Sequence, residues 1–202
     1  MVVKSEKQMN HILIELMSEL TPLSESEKMD IESSFPIEAY EKGTFLTREG
    51  QIVSNAYYVI EGFVREYELV DGEEKTTAFY SEGQSAINFN CIANQVPSKI
   101  NFVCGERTTV AILNAEKEKE LYRKHPRFET FCRTGMEKMM GVKQNQLTEL
   151  ITLKPEKRYE KLQQESPQLL NRVPQYQIAS YLGVTPEALS RIRNRIANKL
   201  SD

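Results

Sequence analysis

The order of apolar and polar positions changes period twice along this chain. Over residues 5–20, Ile12, Leu13, Leu16, Met17 and Leu20 recur at helical spacing and predict a helix that Thr21-Pro22 ends. Ser24-Glu25-Ser26-Glu27 has the form of a capping box and predicts a second, short helix ending near Phe35-Pro36. From residue 37 to 113 the pattern turns to short apolar or alternating runs. Gly43, Gly50, Gly62, Gly72 and Gly83 punctuate them about ten residues apart, the texture of an all-β barrel or sandwich. Strands are predicted at 57–60, 63–69, 76–80, 100–103 and 109–113, with Asp71-Gly72 as a tight hairpin between the second and third. Helical spacing then returns. Asn114 is placed to cap a helix over 115–124, and a longer helix is predicted over about 126–150. Phe128, Phe131, Cys132, Met136, Met139, Met140, Leu147, Leu150 and Ile151 give that helix a broad apolar face. Part of this face is expected on the barrel and part on a second copy of the chain, although Lys143 and Gln146 interrupt the heptad pattern.

The last fifty residues carry the sharpest local pattern. Ile178 and Leu182 lie one turn apart, with the small Ala179 beside them where a second helix can cross closely. Gly183 follows, suited to a left-handed turn, then Val184 as an apolar plug. Thr185 can cap a second helix whose first position is Pro186. Leu189, Ile192 and Ile196 form its inner stripe, and the opposite face carries Glu187, Ser190, Arg191 and Asn194 with Arg195 on the flank. This is the spacing of a helix-turn-helix that lays its second helix in the major groove of DNA. The outward residues are of types that pair with base edges and phosphates. An ordinary helical hairpin with an exposed basic face is the plainer alternative. Arg193 sits nearer the buried edge, and either a phosphate contact or packing of its stem suits it.

Charge sharpens the contrast between the two ends. The net charge is −3, yet from residue 151 onward nine Lys/Arg face five acids, a balance of +4 that leaves −7 on the first 150 residues. A basic end on an acidic body points to a polyanion partner. There is no apolar run long enough for a membrane span and no secretory leader, so a cytoplasmic setting is expected, with no membrane partner. Cys91, Cys104 and Cys132 are odd in number and widely spaced, which suggests free buried thiols. His11 and His125 lack partners at zinc spacing, and three cysteines fall short of an iron–sulfur set. Neither a phosphate loop nor a nucleophile–base set is present, so no metal, cofactor or catalytic residue is expected.

A glycine-spaced β-roll, a long helix and a terminal helix-turn-helix, in that order, resemble the Crp/Fnr regulators of the cyclic-AMP receptor protein superfamily. The resemblance rests on Gly43-Thr44-Phe45-Leu46, Arg48-Glu49-Gly50-Gln51, residues 57–62 and the stretch 177–194. It implies an α+β fold: an N-terminal cyclic-nucleotide-binding-like β-roll (a double-stranded β-helix) with its leading helices over 1–124, a dimerisation helix over 125–150, and a helix-turn-helix domain over 151–202. It further implies a homodimer on a palindromic operator in double-stranded DNA, with RNA polymerase and a small effector as candidate further partners. Thr185, Glu187, Ser190, Arg191, Asn194 and Arg195 would form the DNA-binding set.

Departures from the family pattern redirect both ends. Cyclic-nucleotide binders of the family carry Gly-Glu-Leu after the β-roll hairpin and an Arg-Ser or Arg-Thr pair soon after. Here the first segment reads Gly83-Gln84-Ser85, and Pro97 stands where the Arg would neutralise a cyclic phosphate. The effector pocket is therefore expected around Asn88, Phe89, Ser98 and Lys99, with cyclic AMP not its ligand; Lys99 also suits a solvent-facing strand position. In the recognition helix, Pro186 replaces the first Arg of the usual Arg-Glu-x-x-x-Arg, while Glu187 and Arg191 remain, so the operator is expected to differ from the usual family box. The sequence also leaves little beyond the recognition helix for a terminal β-hairpin wing. A receptor module that signals through protein contacts, in place of DNA, is the alternative reading.

Overall fold

The structure is a computed structural model, and it describes residues 11–199. Predicted helical positions 5–10 and the chain after Lys199, where a wing would follow, lie outside the described residues. Two helices open the fold, α1 (Ile12–Leu20) and α2 (Glu25–Ser34). His11 caps α1 by accepting from the Leu13 N–H, and its Nε2 lies 2.7 Å from the Phe35 carbonyl oxygen, which ties the first helix to the end of the second. The Ser24 capping box is complete: its hydroxyl accepts the Glu27 N–H, and the Glu27 carboxylate accepts the Ser24 N–H at 2.8 Å.

Eight strands follow: β1 (Ile37–Tyr40), β2 (Phe45–Thr47), β3 (Asn55–Glu61), β4 (Val64–Val70), β5 (Glu73–Tyr80), β6 (Ser85–Ala86), β7 (Ile100–Cys104) and β8 (Thr108–Asn114). They form two antiparallel sheets ordered β1-β8-β3-β6 and β2-β7-β4-β5. The inward faces close on one core that includes Tyr57, Val59, Val64, Tyr80, Phe102 and Val110. Asp71 and Gly72 both take positive φ, so the β4–β5 hairpin is turned as its sequence predicts. At Gly62 even one methyl group would lie 2.6 Å from the Arg107 carbonyl oxygen, so this corner requires glycine for space as well as conformation. A bulge leaves Thr77 of β5 unpaired between the pairs Glu66–Ala78 and Tyr67–Thr76. The short helix α3 (Phe89–Asn94) bridges β6 and β7.

α4 (Ala115–Lys124) starts under Asn114, whose side-chain oxygen accepts two backbone N–H groups. The long helix α5 (Arg127–Thr152) begins in the apolar cluster of Ile14, Ile31, Phe35 and Leu121, where Phe128 is fully buried. Farther along it leaves that cluster, and Met136, Met140, Leu147, Leu150 and Ile151 are exposed. The start of the apolar face is thus buried in the α1–α2–α4 cluster, where a place on the barrel was expected, and the remainder is uncovered.

Four helices complete the described chain: α6 (Pro155–Glu165), α7 (Pro167–Arg172), α8 (Gln175–Leu182) and α9 (Pro186–Lys199). Each opens on or just after a proline, whose fixed φ suits a helix start and whose missing N–H would go unpaired there anyway. Their core joins Tyr159, Leu169, Ile178, Leu182, Leu189, Ile192 and Ile196, and it also takes in Phe63 from the β-roll. No helix among the described residues is long and apolar enough to cross a membrane.

Candidate nucleic-acid interface and internal cleft

Helices α8 and α9 are set by their turn. Gly183 takes φ +68, and the Val184 N–H reaches back to the Ala179 carbonyl at 3.0 Å, which closes α8. Thr185 then starts α9: its hydroxyl accepts the Ala188 N–H at 3.2 Å. Ala179 has no exposed surface, as the close crossing of two helices demands, while Ile178, Leu182, Leu189 and Ile192 are buried beside it.

The opposite face of α9 is open. Thr185, Glu187, Ser190, Arg191, Asn194 and Arg195 are all exposed, and helical spacing gathers the last five on one side. The backbone N–H at the helix start, and then the Thr185 hydroxyl, hold the Glu187 carboxyl below the usual carboxylate range, so it is an ionised acceptor at neutral pH. Arg195 lies 3.4 Å from Glu156 of α6, a carboxylate that steadies it beside the open face. Arg193 bonds the Gln175 side chain at 2.7 Å, which joins the two helices at their outer edge.

The four-helix unit docks on the outer face and edge of the β2-β7-β4-β5 sheet. The Ser180 hydroxyl of α8 accepts the Thr76 N–H at 2.9 Å and donates to the Glu74 carbonyl. Tyr181 meets Phe79 edge-on with centroids 5.5 Å apart. Arg172 grips Glu82 with two bonds of 2.7 and 3.0 Å and lies 3.1 Å from Glu106.

On the inner side of the same sheet, a cleft of about 610 Å³ opens between the β-roll and α5. Asn88 and Phe89 line it, as expected from sequence. Ser98 and Lys99 are not among its lining residues. The Ser98 hydroxyl is buried, accepting from Asn88 Nδ2 at 2.9 Å and donating to the Ile100 carbonyl at 2.7 Å, while Lys99 faces solvent. Gln84, where the family's nucleotide binders carry Glu, accepts the Ser81 N–H and stays within its own turn. Sequence reasoning missed Glu66, Tyr80 and Lys143, which the fold brings to one end of the cleft. The sole sequence signal was Lys143 itself, an ammonium where the apolar stripe of α5 should continue.

Among the described residues, no three His, Cys, Asp or Glu side chains gather as a metal site. Cys91, Cys104 and Cys132 are free, and burial pushes the Cys104 and Cys132 thiols up to about 11, so both are protonated near neutrality.

Residues 37–125 match the cyclic nucleotide-binding domain family. No curated protein sequence matches significantly. Among solved structures, the chain is similar to FixK2 from Bradyrhizobium japonicum, at 17% identity over 82% of this chain and 85% of that one, with a TM-score of 0.68. It is similar to a CooA variant from Carboxydothermus hydrogenoformans, at 17% identity over 96% and 86%, TM-score 0.67. It is similar also to a protein described as a Crp/Fnr-family transcriptional regulator from Eubacterium rectale, at 16% identity over 88% and 85%, TM-score 0.64. The fold is therefore that of the Crp/Fnr regulators, as the sequence resemblance implied: a β-roll, a long helix and C-terminal helices.

Proposed function

We propose that this chain is a sequence-specific DNA-binding transcription regulator of the Crp/Fnr type, a cytoplasmic homodimer whose effector is not cyclic AMP and which carries no catalytic centre. The observation that carries this reading is the two-sided recognition helix α9. Its inner stripe is buried under a glycine turn, while Glu187, Ser190, Arg191, Asn194 and Arg195 are exposed on the other side. In this reading Glu187 accepts from a cytosine amino group and Arg191 donates to guanine; Thr185, Ser190, Asn194 and Arg195 contact bases or phosphates. The proposed division is a sensor over 1–124, a dimerisation helix over 125–150 and a DNA-binding domain over 151–202. The uncovered stripe of α5 supports pairing with a second copy, and a two-fold dimer implies a palindromic operator. RNA polymerase is the partner that a DNA-bound regulator would engage. Asn88 and Ser98 bond each other, and Lys99 faces solvent, which supports the exclusion of a cyclic phosphate.

The test is a gel-shift series on an operator selected from random DNA. Arg191→Ala should cost about 1–3 kcal/mol and relax selectivity at one base position in each half-site. Unchanged affinity and selectivity would refute the role given to Arg191. Absence of any DNA binding at low salt would transfer the reading to a receptor that acts through protein contacts.

A further inference from the structure

The cleft between the β-roll and α5 has a divided chemistry. Most of its wall is apolar and adaptable: Ile87, Phe89, Ile100, Met136, Met139 and Met140. Thioether side chains fill irregular shapes and sit well against aromatic rings. Glu66, Tyr80 and Lys143 stand together at the polar end. Glu66 is already occupied, since one carboxylate oxygen accepts the Tyr80 hydroxyl at 2.7 Å and the other accepts the Thr77 hydroxyl at 2.6 Å. Lys143 is in a different position. Its ammonium lies 3.4 Å from the Tyr80 oxygen and 4.9 Å from the centre of that ring, with no carboxylate within 4.0 Å among the described residues. A half-buried cation beside an apolar surface, without an anion of its own, is an incomplete pair.

We propose that this cleft binds a small amphipathic carboxylic acid, with its apolar body on the methionines and Phe89 and its carboxylate paired with Lys143. A cleft of about 610 Å³ falls within the ordinary range for small-molecule sites. A cyclic nucleotide is the wrong shape of charge for it: among the described residues lining the cleft the one cation is Lys143 on α5, whereas at the α3 end the Asn88 amide donates to Ser98 and the Ser98 hydroxyl to the Ile100 carbonyl. The proposal rests on reading the β-roll as a sensor, and it gives that sensor a ligand class.

The test compares two probes with one body, 4-phenylbutyrate and 4-phenylbutan-1-ol, titrated calorimetrically into the full-length chain. The acid should bind about tenfold more tightly than the alcohol, the effect expected of one charge-assisted contact. Lys143→Gln should weaken the acid by about the same factor and leave the alcohol unchanged, and Lys143→Met should do likewise as a second, uncharged and unbranched variant. Equal affinities for the two probes, or indifference of the acid to both substitutions, would overturn the proposal. If the partner's helix simply covers the cleft, neither probe binds at millimolar concentration, which overturns it too. A parallel gel-shift separates this inference from the functional reading. Acid binding without any change in DNA affinity would remove the sensor role and keep the site, whereas DNA binding without acid binding would remove the site alone.

Discussion

Glu82 and Arg172 illustrate how single residues connect the two halves. The paired hydrogen bonds from Arg172 hold the Glu82 carboxyl down, from the ordinary 4.5 to about 2. A carboxyl depressed in the folded state adds stability that is complete above about pH 4.5 and is lost as pH falls towards 2. Glu82→Gln should therefore make the protein less stable than the parent at pH 6, with the gap closing as acid is added through that window. Urea unfolding midpoints measured from pH 2 to 6 check this, and a gap independent of pH would count against the pair. Neither partner was legible in the sequence, because they stand ninety positions apart and charged residues are common in this chain. The exposed face of α9 was legible because helical periodicity is local: every outward residue can be read from its distance to Leu189 and Ile192. Ser98 was expected from the second position of a family motif whose Arg is replaced by Pro97; its hydroxyl is taken up by Asn88 and the Ile100 carbonyl, while Lys99 holds the solvent-facing position that its alternating neighbours suggest.

Among elements, those with a local stop or start were readable. The Ser24 box, the Asp71-Gly72 hairpin and the Gly183 turn each announce themselves in two to four residues. By contrast, α6 and α7 were not named from sequence, although Pro155 and Pro167 mark their starts; their apolar residues are few, and α7 is a helix of only 6 residues. For α5 the sequence showed one broad apolar face but not where it would be uncovered. That depends on where the helix leaves the α1–α2–α4 cluster, a matter of tertiary path. Leu147 and Leu150, 59% and 55% exposed, lie on the uncovered stretch. In the proposed dimer Leu147→Glu combined with Leu150→Glu should convert the protein to monomer in sedimentation velocity while its circular dichroism is retained. An unchanged dimer would place the seam elsewhere.

For the molecule as a whole, Phe63 matters more than its position in the turn between β3 and β4 implies. It is fully buried, belongs to the core of the C-terminal helices, and lies so close over Gly105 that a methyl group there would overlap its ring. Phe63→Ala should cost about 3–5 kcal/mol and lower the stability of both halves together, giving a single, earlier melting transition by calorimetry. Two separate transitions would mean that the halves do not share a core. The docking contact has a consequence for how far the halves can part. Strand β5 ends its sheet, and the Thr76 N–H on that rim is satisfied by a side chain of α8. Any excursion that swings the C-terminal helices away leaves a raw strand rim able to pair with a rim on another molecule. A chain built this way trades freedom of its C-terminal helices against self-association, and its open form should be the one that precipitates.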